Sequence, residues 1–354
     1  MKIIHTSDIH LYSPLSSKLP PMAAKTRRRE LLSTLSRLCE EAVRINAEAV
    51  IIAGDLFDSE RVGHREAETV LGFFEKAKGV RFFYLPGNHE TDALMRSGAK
   101  IPENLMLFGK EWTYFELNGV TFAGRSETDE GMFDSLSLSK DTVNIAVLHG
   151  ELRDRSHEGG VIGIRDAVER GIDYLALGHY HTYSVTEIDG RGIAVYSGTP
   201  EGRGFDETGE LGYSLITVDE GLTHKFVGFA KRRIVEYDVD ISNAESATEV
   251  LSLIEKGSHG ISRDYIVRAR LVGGRGVDLR YDVSFMAEAM EDKFFYFEIK
   301  DKSRITARTE DFLNDKSLKG EFIRLALSDE ELDDITRSEV ISIGLSALRG
   351  EEID

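Results

Sequence analysis

Five apolar runs in this chain each give way to aspartate, asparagine or histidine, and this repeated pattern constrains the fold more than any other feature. Lys2-Ile3-Ile4 leads to Asp8-Ile9-His10, and Ala49-Val50-Ile51-Ile52 leads to Gly54-Asp55-Leu56-Phe57-Asp58. Phe82-Phe83-Tyr84-Leu85 leads to Gly87-Asn88-His89-Glu90, Ile145-Ala146-Val147-Leu148 to His149-Gly150, and Tyr174-Leu175-Ala176-Leu177 to Gly178-His179-Tyr180-His181. Continuous apolar runs of this length fit fully buried strands of a helix-covered sheet. Polar groups at the carboxyl ends of such strands converge on one edge, where open α/β sheets put their active sites.

The residue types point to a pair of metal ions. Oxygen and imidazole donors without a thiolate suit manganese, iron or zinc, with magnesium a further candidate. Two ions roughly 3.5–4 Å apart must share a ligand, and a carboxylate with two oxygens can bridge them. Asp55, alone after Gly54, is the expected bridge. Asp8 and His10, two residues apart, project the same way from an extended end. The expected first site is Asp8, His10, Asp55 and His181; the second is Asp55, Asn88, His149 and His179. Only Asp8 and Asp55 of this set are anionic, so two divalent ions leave about +2, which attracts a phosphodiester and stabilises its transition state. The expected nucleophile is a hydroxide activated by both metals. His89, next to a ligand, is placed to donate a proton to the leaving oxygen, with Asp58 as the carboxylate that orients it. His5 reads as a buried, hydrogen-bonded histidine. His64, His157, His224 and His259 read as surface residues.

These motifs resemble those of the calcineurin-like metallophosphoesterase superfamily over roughly residues 1–230. A narrower resemblance is to SbcD-type DNA repair nucleases, on His5-Thr6-Ser7-Asp8-Ile9-His10-Leu11 and Gly54-Asp55-Leu56-Phe57. The turn-rich run from Tyr196-Ser197-Gly198-Thr199-Pro200 through Gly204-Phe205-Asp206-Glu207 to Gly212-Tyr213 also carries it, followed by the strand Ser214–Val218. The resemblance implies an α/β fold, a layered β-sheet sandwich flanked by helices with a small α+β cap. It also implies a metal-dependent phosphodiesterase, a DNA repair exonuclease or endonuclease subunit working with DNA and an SMC-like coiled-coil ATPase. Many of these nucleases carry histidine where this chain has Asp58, and the stretch between Glu90 and His149 is shorter here. Both departures favour general phosphoesterase chemistry over processive double-strand cleavage. The alternatives are a phosphoesterase acting on nucleotides, cyclic nucleotides or phosphoproteins, and a catalytically weak scaffold for the ATPase.

Charge argues against nucleic acid. The 354 residues carry a net charge of −18, whereas DNA affinity comes largely from lysine and arginine neutralising phosphates. Bound metals offset this locally, and Arg27-Arg28-Arg29 form a basic cluster that either contacts phosphate or is the solvated first turn of a helix. No run of 18 apolar residues suggests a membrane span. The first strand starts at residue 2, so no signal peptide is expected. The single cysteine, Cys39, fits a reducing, cytoplasmic setting and a packing role.

Three segments are expected: a catalytic domain over 1–230, an α/β cap over 231–320 and a helical tail over 321–354. Periodicity predicts helices over 23–46 and 62–77, with strands and helices alternating through Gly178; the second helix either packs against the sheet or, as the resemblance implies, is a homodimer surface. A further helix is expected around Ile164–Arg170. The cap reads β-α-β-α-β, and its Arg268, Arg270 and Arg275 are either phosphate contacts or solvated residues of an edge strand. The tail turns apolar at Val340, Ile341, Ile343, Leu345 and Leu348, a stripe that either clasps a partner's coiled coil or folds back on its own cap.

Overall fold

The computed structural model describes residues 1–15, 19–87, 93–156, 158–306, 312 and 314–349. The chain divides into two compact units, Met1–Arg233 and Ile234–Asp354. In the first, β1 (Lys2–Thr6), α1 (Pro21–Arg44), β2 (Ala49–Ala53), α2 (His64–Lys76) and β3 (Arg81–Leu85) alternate as the periodicity predicts. A short helix α3 (Ala93–Arg96) and strand β4 (Leu105–Leu107) follow. Beyond that point the expected alternation fails. The chain runs β5 (Thr113–Leu117), β6 (Val120–Gly124), β7 (Val143–His149), β8 (Glu151–Arg153), β9 (Val161–Gly163), β10 (Tyr174–Gly178), β11 (Ser184–Glu187), β12 (Ile193–Tyr196), β13 (Gly212–Val218) and β14 (Leu222–Gly228).

Local chemistry explains the difference. Asn118-Gly119, with φ of 49° and 80°, makes a two-residue turn that pairs β5 with β6 directly, the signature of a hairpin matched to strand twist. The helix expected around Ile164–Arg170 is a single tight turn at Arg165–Ala167. Gly163 before it ends a strand, and Gly171 after it has φ of 80°, so no room remains for a second turn.

The strands form the two sheets of the expected sandwich, six strands each, in the orders β14-β13-β1-β2-β3-β4 and β11-β12-β10-β7-β6-β5. Four neighbouring strands of each sheet are parallel: β1, β2, β3 and β4 in the first, and β6, β7, β10 and β12 in the second. Alternate residues of both sheets meet in one core that includes Ile51, Ala53, Phe83, Phe122, Val147 and Ala176. At its centre the Phe83 and Phe122 rings stack with centroids 4.1 Å apart. The opposite face of the first sheet is covered too: Phe74 of α2 lies 4.6 Å from Phe82. On α1 the buried stripe includes Leu31, Leu35, Leu38, Cys39 and Ala42. Such two-sided burial is why these strands read as unbroken apolar runs.

The second unit contains β15 (Ile234–Asp240), α4 (Ala247–Gly257), β16 (Ile266–Val272), β17 (Gly274–Gly276), α5 (Val283–Glu291), β18 (Tyr296–Asp301), β19 (Arg304–Thr306), α6 (Leu318–Ser328) and α7 (Asp334–Arg349). Its main sheet is parallel with β16 in the middle, so Arg268 and Arg270 do not sit on an edge strand. Arg268 pairs with Glu236 and Glu298 on the flanking strands, and Arg270 Nε lies 2.7 Å from Asp238. Arg275 donates to the Leu279 carbonyl at 3.2 Å. The tail packs within its own unit: Ile323, Ile341 and Leu345 share a cluster with Val277 and Ile305.

Replacing Phe83 by alanine removes the ring that joins the two sheets, and truncations of this kind cost ~3–5 kcal/mol. Urea denaturation of the variant is expected to show a loss of that size, with the midpoint moving sharply down.

Candidate metal centre

The two sheets place their carboxyl ends on one rim. From the first come Asp8 and His10 after β1 and Asp55 after β2; from the second come His149 at the end of β7, and His179 and His181 after β10. Asp8, His10 and Asp55 have φ of 53°, 49° and 50°, and His179 has φ of 111°. A non-glycine residue in the left-handed region costs on the order of 1–3 kcal/mol and tends to persist where function requires it. Four such residues cluster here, so the backbone is bent to aim these groups inward.

The atoms meet in two groups. Single donor atoms of Asp8, His10 and His181 lie within 4.8 Å of one another, and so do those of Asp8, Asp55 and His149. Asp55 Oδ2 is 3.6 Å from His10 Nε2 and 3.5 Å from His149 Nε2, which puts it between ligands from the two sheets. Asp8 also belongs to both groups, so two carboxylates are central where a single bridge was expected. Ser7 Oγ donates to Asp8 Oδ2 at 2.5 Å, and the His179 backbone N–H lies 3.1 Å from both Asp8 oxygens.

Hydrogen bonds on the far side of the rings set which nitrogen faces the centre. His149 Nδ1 donates to the Ala53 carbonyl at 2.9 Å, so its Nε2 lone pair points toward Asp55, the arrangement usual for a metal-binding histidine. The approach is so close that a Cβ on Gly54 would stand 2.1 Å from His149 Nδ1. His10 Nδ1 lies 3.0 Å from Asp58 Oδ1, and His181 Nδ1 donates to Glu207 Oε1 at 2.7 Å. His10 Nε2 and His181 Nε2 then face each other 3.3 Å apart. Imidazole lone pairs and carboxylates gathered in this way fit divalent cations bound by oxygen and nitrogen.

The electrostatics agree. Burial opposes a charged His149, but the Asp55 and Asp8 carboxylates outweigh it and raise the ring to about 9. Burial likewise opposes charge on His181, and Glu207 and Asp8 raise it. Burial and the neighbouring His149 lower His179. Burial works against the Glu207 carboxylate, yet His181 and Arg203 hold it at about 2.

Asn88 and His89 lie outside the described residues. Asp58, expected beside His89, contacts His10 and stands 3.3 Å from Arg203 Nη1. Arg27 is fully buried, bound to Glu30 at 2.6 Å, Glu201 at 2.8 Å and the Gly202 carbonyl at 2.6 Å. It neither faces solvent nor offers a free guanidinium to phosphate. Arg28 and Arg29 are exposed, and Arg28 donates to the Pro14 carbonyl. His5 is buried beside Tyr174 Oη at 3.0 Å, as expected. His224 is half-buried, 3.3 Å from Tyr183 Oη. Sequence reasoning assigned no role to Arg203 or Glu207; the signal was an acid within the turn-rich run after His181.

The family model for calcineurin-like phosphoesterases matches residues 1–185. The chain is similar to the uncharacterized metallophosphoesterase YhaO of Bacillus subtilis, 24% identical over 273 residues, which span 72% of this chain and 67% of that one. It is also similar to the DNA double-strand break repair protein Mre11 of Sulfurisphaera tokodaii, 27% identical over 221 residues, 56% of this chain and 54% of that one. With Mre11 of Methanopyrus kandleri the identity is 26% over 285 residues, 70% of this chain and 60% of that one. The match thus covers less than two thirds of either Mre11 protein.

Metal binding here must displace protons. His149 titrates near 9 in the metal-free protein, above its usual 6.5, so the ring is charged below that and loses its proton as pH rises through 9. A divalent ion needs the neutral ring. Manganese affinity is therefore expected to rise from pH 6.5 toward 9, with proton uptake by the buffer. Calorimetry in buffers of different ionisation enthalpy measures both, and a pH-independent affinity would contradict the arrangement.

Proposed function

This chain belongs to the calcineurin-like phosphoesterase family and is a hydrolase of phosphoester bonds, and from that premise we propose that the bond it cleaves is a phosphodiester of DNA. The observation that carries the reading is Asp55 Oδ2, standing 3.6 Å and 3.5 Å from imidazole nitrogens of His10 and His149, which come from different sheets. We assign two divalent ions, manganese foremost, to Asp8, His10, Asp55 and His181 on one side and Asp55, Asn88, His149 and His179 on the other. Bound there, they would supply Lewis acidity and an activated water.

The protein's own groups do the rest. Asp8, 0% exposed and held by Ser7 and the His179 N–H, cannot swing away from its position. His149, locked by the Ala53 carbonyl, keeps one ring nitrogen facing Asp55. His89 is assigned the proton that the leaving oxygen needs. DNA as substrate is supported by the similarity to two proteins named for double-strand break repair.

A second reading has its own support. The chain is strongly acidic at −18, and Arg27, Arg203 and Arg268 are held in ion pairs. A compact phosphoester such as a nucleotide needs fewer cations than a DNA backbone does. Purified protein with manganese is expected to degrade labelled DNA, and His149→Ala or Asp55→Asn should lower the rate by roughly 10²–10³-fold, the scale on which removing one catalytic electrostatic group acts. Turnover of nucleotides with intact DNA would favour the second reading.

The same proposal includes an SMC-like ATPase as partner. Leu318, Leu325, Ile335 and Ile343 on the last two helices are more than half exposed, and such apolar groups suit a coiled-coil surface. No described helix is long and apolar enough to cross a membrane. Co-migration with such an ATPase on size exclusion, lost on Leu325→Asp with Ile343→Asp, is the expected result.

A further inference from the structure

His181 depends on a segment with no metal ligand of its own. After β12 the chain runs through Ser197 to Glu207 and returns to His181 twice. The Thr199 backbone N–H donates to the His181 carbonyl at 3.1 Å, and Glu207 Oε1 accepts from His181 Nδ1 at 2.7 Å. Glu207 is 2% exposed, so water does not compete for that carboxylate. Its position is set from a third direction by Arg203, whose backbone N–H lies 2.5 Å from Oε2 and whose Nη2 lies 2.9 Å from Oε1. Arg203 Nη1 also reaches Asp58 Oδ1, 3.3 Å away, and that same oxygen is 3.0 Å from His10 Nδ1.

We propose that Glu207 is the positioning residue that presents His181 Nε2 to the metal centre, and that Arg203 ties it to Asp58 so that His181 and His10 are aimed together. A ring nitrogen 2.7 Å from a carboxylate oxygen must carry a proton, since two bare acceptors at that distance repel. Arg203 Nη2 is also 3.3 Å from His181 Nδ1, but the shorter and oppositely charged contact to Glu207 decides the tautomer. The proton on Nδ1 leaves Nε2 bare, and it lies 3.8 Å from Asp8 Oδ1 and 3.3 Å from His10 Nε2. Asp58 Oδ1 stands behind His10 as an ion-pair contact, 3.0 Å from Nδ1. One guanidinium between two carboxylates offsets their mutual repulsion and lets both stand behind the histidines. Glu207 itself never faces the centre.

The inference rests on the two-metal reading, whatever the substrate. Calorimetric titration of the metal-stripped protein with manganese tests both, alongside the manganese electron-paramagnetic-resonance spectrum. Wild-type protein that binds no manganese sinks the two-metal reading itself. If wild type binds two ions, Glu207→Ala is expected to weaken one of them by roughly 10–100-fold and the other by less than about threefold, as loss of a group behind a ligand does. Glu207→Gln keeps an amide oxygen that can accept from Nδ1–H, so the same ion should weaken by an intermediate factor. Equal weakening of both ions, or wild-type affinity at both, overturns the assignment. If Glu207→Ala fails to fold, Glu207→Gln decides by the same titration, and unchanged affinities there overturn it too.

Discussion

Two carboxylates buried side by side set the terms for everything else in the first unit. Asp8 is 0% exposed and Asp55 3% exposed, with donor atoms inside a 4.8 Å group. Their repulsion is on the order of 4 kcal/mol at an effective dielectric of about 20, and His10, His149 and His181 stand as ion-pair partners around them. Burial opposes charge on the rings around them, and the carboxylates raise His149 and His181 against it. Divalent cations bound there would offset the carboxylates' repulsion. The left-handed residues, the close glycine contacts and the fixed ring orientations follow from holding such a group together.

That strain is sustained by the sandwich beneath it. The parallel strands bring their ends to one rim, and the shared core with Phe83 against Phe122 keeps the two rims in register. Among the described residues two ligand segments come from each sheet, after β1 and β2 in one and at β7 and β10 in the other, so neither sheet alone has a complete site.

Much of this was readable in the residues. The apolar runs Ala49–Ile52 and Tyr174–Leu177 marked buried strands because both faces are covered, and Asp8, His10, Asp55, His149 and His181 were recognisable as donors just beyond such runs. The helices over 23–46 and 62–77 were visible from their period. What failed had physical causes. Asn118-Gly119 is a two-residue turn that makes a hairpin of β5 and β6 where the apolar pattern alone predicts alternation with helices. The segment after Ile164 carries a helix-like pattern, but flanking glycines stop it after one turn. Arg27 belonged to a basic run in sequence, yet the partners that draw it inward, Glu201 and Gly202, lie more than 170 residues away.

The sequence by itself determined the strands, the donor types and their order, because burial on two faces and the chemistry of oxygen and nitrogen ligands are local properties of the chain. Only the tertiary structure decided which strands enter which sheet, that Asp8 joins both ligand groups, and that Glu207 and Asp58 stand behind His181 and His10. Those are pairings between residues 26 to 171 positions apart, or between short motifs on opposite sheets. A run of residues does not encode which distant group it will meet; the packing of the core does.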